Sequence, residues 1–172
     1  KSRKKKKGFI GRIIASMFKK EPSSEAWIMD IDEYGDRNWH NTYGGKKEDV
    51  GKSIDAFSDN SFLLTCETES FGKGKKDIWL LKIDSNGKII WENTFGGKKN
   101  DIFGSTLVYS NNSMFVTGQR AMKNKFSLRS ILRINSKKNS PESVVYKSFI
   151  ARLNDKGETI WENDVFEDQK CI

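Results

Sequence analysis

Apolar positions in this chain come in short runs, and polar or glycine-rich clusters separate them at nearly regular intervals. Ile78-Trp79-Leu80-Leu81-Lys82-Ile83 is one such run, and Asp84-Ser85-Asn86-Gly87 follows it. Lys88 to Phe95 reads as a return strand, with Asn86-Gly87 supplying the positive φ angles of a tight hairpin. Gly96-Gly97 breaks that strand. Phe103 to Tyr109 reads as a third, Ser110-Asn111-Asn112-Ser113 as a turn, and Met114 to Gln119 as a fourth. Short length, β-branched and aromatic content and polar boundaries all favour strands. No helical period runs through this interior.

The pattern repeats. At an offset of 52, Trp27 falls on Trp79, Trp39 on Trp91, and Ile31-Asp32-x-x-Gly35 on Ile83-Asp84-x-x-Gly87. Thr42-Tyr43-Gly44-Gly45-Lys46-Lys47 falls on Thr94-Phe95-Gly96-Gly97-Lys98-Lys99, and Asp49 on Asp101. A partial third copy begins at an offset of 70, where Phe149 replaces Trp79, Leu153-Asn154-x-x-Gly157 forms the turn and Trp161-Glu162-Asn163 repeats Trp91-Glu92-Asn93. The organisation read from this is a basic segment or inserted hairpin at 1–24, unit one at 25–76 and unit two at 77–120. A basic insertion at 121–147 and a partial unit at 148–172 complete it.

A four-stranded unit of roughly 50 residues, repeated, points to an all-β fold of β-propeller type. The string Trp79-Leu80-Leu81-Lys82-Ile83-Asp84-Ser85-Asn86-Gly87-Lys88-Ile89-Ile90-Trp91, then Thr94-Phe95-Gly96-Gly97 and Asp101, resembles a bacterial and archaeal β-propeller repeat family with quinoprotein-like, Trp-containing blades. The resemblance spans residues 25–119 and part of 148–166. It implies about two and a half blades of four antiparallel strands, as an open arc or a fragment of a larger propeller, in an extracytoplasmic or cell-surface setting. In the third copy Asp164-Val165-Phe166-Glu167 replaces Thr-Phe-Gly-Gly, so the usual turn is not expected there. An open arc leaves faces and edges bare, so the expectation is the remainder of a longer chain or self-assembly.

Structural roles are expected for Trp27, Trp39, Trp79, Trp91 and Trp161, with Trp39, Trp91 and Trp161 lying in register between stacked sheets. Gly35, Gly87 and Gly157 permit the hairpin turns. Asn41, Asn93 and Asn163 are placed to hydrogen-bond a neighbouring blade's turn. Cys66, inside an apolar run, reads as a buried free thiol, and Cys171 as a terminal one.

Charge is uneven. The formal net charge is +8, yet residues 1–20 hold nine Lys or Arg and no acid, and residues 120–138 hold seven more without one. Lys4, Lys5, Lys6, Lys7 and Arg12 in the first stretch, with Arg129, Arg133, Lys137 and Lys138 in the second, are the candidate anion-binding residues. The apolar spacing of Phe9, Ile10, Ile13, Ile14, Met17 and Phe18 leaves the first segment open between an inserted hairpin, a membrane-surface or partner helix, and a disordered basic tail. Phe126 to Ile134 suits an extra strand pair or a short amphipathic helix.

Catalytic chemistry is not legible. His40, the single histidine, sits where the other copies have Glu92 and Glu162, so it occupies a variable polar position. Asp84-x-Asn86-Gly87 places its glycine too early for an EF-hand, and Gly96-Gly97-Lys98-Lys99 lacks both the spacing and the helix of a phosphate loop. No catalytic residue, metal or cofactor is expected. The leading reading is a non-enzymatic repeat scaffold or binding module with an unknown protein or polysaccharide partner. The alternative is a binder of nucleic acid, sulfated glycan or an anionic membrane surface through the two basic segments.

Overall fold

The computed structural model describes residues 25–109, 113–123 and 144–165. Among them are ten strands and no helix. β1 (Ala26–Ile31) and β2 (Arg37–Tyr43) form a two-stranded sheet. β3 (Asp49–Ala56), β4 (Phe62–Thr68), β5 (Asp77–Ile83) and β6 (Ile89–Phe95) form the second sheet, in that order. β7 (Asp101–Tyr109), β8 (Ser113–Lys123), β9 (Val144–Leu153) and β10 (Thr159–Val165) form the third. Neighbouring strands are antiparallel throughout, and the sheets are open.

Sheets and sequence copies are out of phase. The four strands of unit 77–120 are present but do not share a sheet: β5 and β6 bond to β4 and β3, and β7 begins the next sheet. The cause is local. The 69–76 loop turns β4 back along β5 in the same sheet, whereas the break at Gly96-Gly97 carries the chain from β6 across to β7. Each four-stranded sheet therefore closes with a strand pair from the following copy.

The hairpin turns differ in detail from the expectation. In the three glycine turns Gly35, Gly87 and Gly157 take a positive φ (85°, 80° and 77°) and Asn86 does not; in the 57–61 turn Asn60 takes that place (63°). Each is a type I turn followed by one left-handed residue, the three-residue hairpin loop. The leading side chain stabilises it, since Asp84 Oδ1 accepts the amides of Asn86 (2.8 Å) and Lys88 (3.0 Å). Asp32 and Asn154 do the same in their turns. A side chain that holds two amides makes a second positive φ unnecessary.

Two apolar clusters lie between the sheets. Ala26, Ile28 and Tyr43 of the first sheet pack on Phe62, Leu64, Cys66, Trp79, Leu81 and Ile83 of the second. From its other face Leu63, Ile78, Leu80 and Phe95 pack on Met114, Val116, Phe149, Ala151 and Leu153 of the third. β5 is thus buried at every residue, which is why it reads as an unbroken apolar run although its sheet is antiparallel. Each fully buried aliphatic side chain here contributes about 1.5–3 kcal/mol. Lys82 is the exception within that run. Its Nζ reaches Asp59 Oδ2 at 3.1 Å and lies 4.2 Å from the centroid of the Phe57 ring.

The same contacts join both pairs of sheets. Trp39 Nε1 donates to Ser85 O (3.1 Å) and Asn41 Nδ2 to Gly87 O (3.2 Å). One sheet further on, Trp91 Nε1 donates to Asp155 O (2.9 Å) and Asn93 Nδ2 to Gly157 O (2.8 Å). The glycines are required by this closeness as well as by φ. A Cβ on Gly87 would stand 2.3 Å from Asn41 Nδ2, and one on Gly157 2.6 Å from the Trp91 ring.

Candidate functional site

Among the described residues, the inter-strand connections lie at two ends of the sheets. Turns 32–36, 57–61, 84–88 and 154–158 share one end, and several acids lie there, among them Glu33, Asp59, Asp84 and Asp155. The loops 44–48, 69–76 and 96–100 share the other, and they touch. Lys47 N donates to Ser70 Oγ (3.0 Å), and a Cβ on Gly74 would stand 2.3 Å from Lys99 O. Lys46, Lys47, Lys73, Lys75 and Lys98 are exposed on these loops, beside the half-buried Lys76 and Lys99. The described chain enters β1 at this end. The β8–β9 hairpin also projects from it, paired out to Lys123 and Val144.

Buried carboxylates hold the loops in shape. Asp49, at the start of β3, accepts Gly45 N (2.7 Å), Ser70 Oγ (2.6 Å) and the Thr68 hydroxyl. Asp77 Oδ2 accepts Lys73 N (2.7 Å) and Gly74 N (2.8 Å), and Asp101 Oδ2 accepts Gly97 N (2.6 Å). These bonds fold the backbone inward and leave the lysine side chains outside.

The second of these centres is incomplete. Asp77 and Asp101 are both about 1% exposed, and among the described residues the Oδ1 atom of each is without a hydrogen-bond partner. A Cβ on Gly96 would stand 1.8 Å from Asp77 Oδ1 and 2.7 Å from Asp101 Oδ2, so two carboxyl groups meet over this glycine. The cause is a pair of sequence changes. Asp49 pairs across the ladder with Thr68, whereas Asp101 pairs with Arg120. The hydroxyls of Thr68 and Ser70 give way to Arg120 and Met122, and Arg120 turns to Glu162 (2.6 Å) over the Phe149 ring. Burial raises the Asp101 carboxyl above the ordinary carboxylate range. The neighbouring Asp77 adds to this, against the pull of Gly97 N–H.

An open cleft of about 460 Å³ adjoins the lysine loops and is lined by Ser70, Phe71, Gly72, Trp79, Glu92, Asn93 and Thr94. Phe71 covers Trp79 with 4.6 Å between ring centroids, and Trp79 Nε1 donates to Glu92 Oε2 (3.2 Å). No three His, Cys, Asp or Glu side chains among the described residues are grouped to hold a metal ion, and no described helix is long and apolar enough to cross a membrane.

Lys4, Lys5, Lys6, Lys7, Arg12, Arg129, Arg133, Lys137 and Lys138 lie outside the described residues, as do Cys171 and the 126–134 segment. Arg120, from the second basic stretch, is taken up in the ion pair with Glu162. Trp39 and Trp91 lie between sheets and Trp79 is buried, whereas Trp161 remains 37% exposed. His40 is exposed, 6.2 Å from the Trp27 ring. Residue-by-residue reading missed the grouping of Lys46, Lys47, Lys73, Lys75 and Lys98. Its signal was the recurrence of lysine after glycine in Gly44-Gly45-Lys46-Lys47, Gly72-Lys73-Gly74-Lys75-Lys76 and Gly96-Gly97-Lys98-Lys99. The chain matches no protein-family model and no curated protein.

Proposed function

We propose that the chain is a non-enzymatic scaffold or binding module of β-propeller type, its four-stranded sheets serving as successive blades. The observation that carries this is the doubled junction, in which Trp39 with Asn41, and Trp91 with Asn93, grip the turn of the next sheet through the same atoms. An extracytoplasmic or cell-surface setting follows from the sequence resemblance alone. Cys66 reports on the stacking, because its thiol is buried between the first two sheets and burial raises its pKa. In a Cys171→Ser variant, Cys66 is expected to react with a thiol reagent roughly a thousandfold slower in buffer than in denaturant. Access then requires an opening of the fold that costs several kcal/mol. Fast labelling in buffer would show that the sheets do not stack.

A second reading, binding of an anionic polymer, is favoured by the clustering of lysines at the end where both basic segments join the described strands. Heparin, single-stranded nucleic acid and anionic vesicles form the panel. Changing Lys73, Lys75 and Lys98 to Glu is expected to weaken heparin binding at least tenfold and to flatten its salt dependence. Binding that ignores both ionic strength and these substitutions removes the reading.

A further inference from the structure

The outer face of the third sheet is the counterpart of a face that is buried elsewhere in the molecule. At the same repeat offsets, Tyr109 corresponds to Phe57, Phe115 to Leu63, Ile150 to Leu80 and Trp161 to Trp91. In the second sheet, Phe57, Leu63 and Leu80 belong to the core against the third sheet, and Trp91 packs beside them. In the third sheet their counterparts form an open aromatic row. Tyr109 is 58% exposed, and the Phe115 ring lies 6.5 Å from Tyr109 and 6.1 Å from Trp161. Among the described residues, neither Trp161 nor Asn163 reaches a turn as Trp91 and Asn93 do.

The first sheet presents the complementary half. Its Asp32–Asp36 turn has the hydrogen bonds of the two gripped turns: Gly35 N donates to Asp32 O (3.1 Å) and Asp32 N to Asp36 O (2.9 Å). Among the described residues no atom stands within 4 Å of a Cβ placed on Gly35, and Tyr34 beside it is 82% exposed. Trp27, Met29 and Ile31, on the same sheet, correspond to Trp79, Leu81 and Ile83 of the cluster that the second sheet turns toward the first.

We propose that a second copy of this chain docks head to tail. Its Asp32–Asp36 turn seats against Trp161 and Asn163 of the first, with Trp161 Nε1 donating to Glu33 O and Asn163 Nδ2 to Gly35 O. Tyr109, Phe115 and Ile150 then cover Trp27, Met29 and Ile31. The occupant is inferred from the chain's own two junctions, which supply both halves of the contact, and the inference rests on the sheet stacking of the proposed function. The contact is heterologous, so each copy keeps one free head and one free tail until a ring closes.

Sedimentation velocity of the full 172-residue chain over a concentration series tests it. The wild type is expected to self-associate. Trp161→Ala, which spoils the head, and Gly35→Ala, which spoils the tail, should each need at least tenfold more protein to do so. An equimolar mixture of the two should recover a dimer and nothing larger, because one intact head then meets one intact tail. Asn163→Asp, which replaces the amide donor with a carboxylate and leaves the Trp161 ring in place, should also weaken association. A wild type that stays monomeric, variants that associate as it does, or a mixture that stays monomeric would each overturn the proposal. Slow Cys66 labelling in the same samples shows that the sheets within each copy are stacked, so loss of docking is told apart from failure of the stacking itself.

Discussion

Gly87→Ala is expected to lower the unfolding free energy by about 2–4 kcal/mol, and Gly35→Ala by only about 1–2 kcal/mol. Both glycines have a left-handed φ, 80° and 85°, which an alanine adopts at a cost of about 1–2 kcal/mol. Among the described residues, only Gly87 has a neighbour. Its added methyl would stand 2.3 Å from Asn41 Nδ2 and 2.8 Å from the Trp39 ring. Relief requires the first sheet to move away, which loosens the Trp39–Ser85 and Asn41–Gly87 hydrogen bonds. Each is worth about 1 kcal/mol. Urea unfolding of the two variants and the wild type supplies the comparison. Equal losses would mean that Trp39 and Asn41 do not grip the turn.

Asp101→Asn is expected to stabilise the protein at pH 8, by about 1–3 kcal/mol, the cost of a buried acceptor left without a donor. The asparagine keeps an oxygen for Gly97 N–H and removes the negative charge that stands beside the buried Asp77. The sign with pH follows from the raised carboxyl. A group whose folded pKa lies above its unfolded value near 3.9 stabilises the fold below that value, and this contribution is lost as pH rises through the folded pKa. The advantage of Asp101→Asn should therefore be small at pH 4 and grow toward pH 8. The groups around Asp101 that bear on this are Asp77, the Gly97 and Ala121 amides, and Arg120, the last neutralised by Glu162. Asp59 and Asp84 act in another window. Hydrogen bonds lower both, from the Ser61 hydroxyl for Asp59 and from the Lys88 amide for Asp84, so their contribution is present above about pH 3.9 and is lost as pH falls further. Thermal melts of wild type and Asp101→Asn between pH 4 and 8 measure the difference. A gap that does not widen with pH would show that Asp77 and Asp101 do not oppose one another.

Strand content and turn positions were legible because they are local properties. The apolar run Ile78–Ile83, and the Asx residue opening and the glycine closing the 32–35, 84–87 and 154–157 turns, act within a few residues of chain. The bonds of Asn41 and Asn93 to the next turn were legible too, because only a repeating contact explains an amide kept at one point of each copy. The grouping of strands into sheets was not. Whether β5 joins β4 or starts a sheet with β7 depends on the paths of the 69–76 and 96–100 loops, and a repeat looks the same wherever its unit is cut. The Asp77–Asp101 meeting was hidden for a related reason. It comes from two sheets brought side by side, β5 of the second and β7 of the third, and it is left unsatisfied by Arg120 and Met122, whose effect shows only against Thr68 and Ser70 in space.

The mismatch between copy and sheet decides where the molecule can be divided. A cut between residues 76 and 77 respects the sequence copies, yet it severs a hairpin and strands β5 and β6 away from the backbone ladder that completes them. A cut beside Gly96-Gly97 falls inside a copy and leaves every ladder whole. The unit read from the sequence is thus not the unit that could be lifted out intact, and each copy is tied in by covalent chain on both sides of the border it shares.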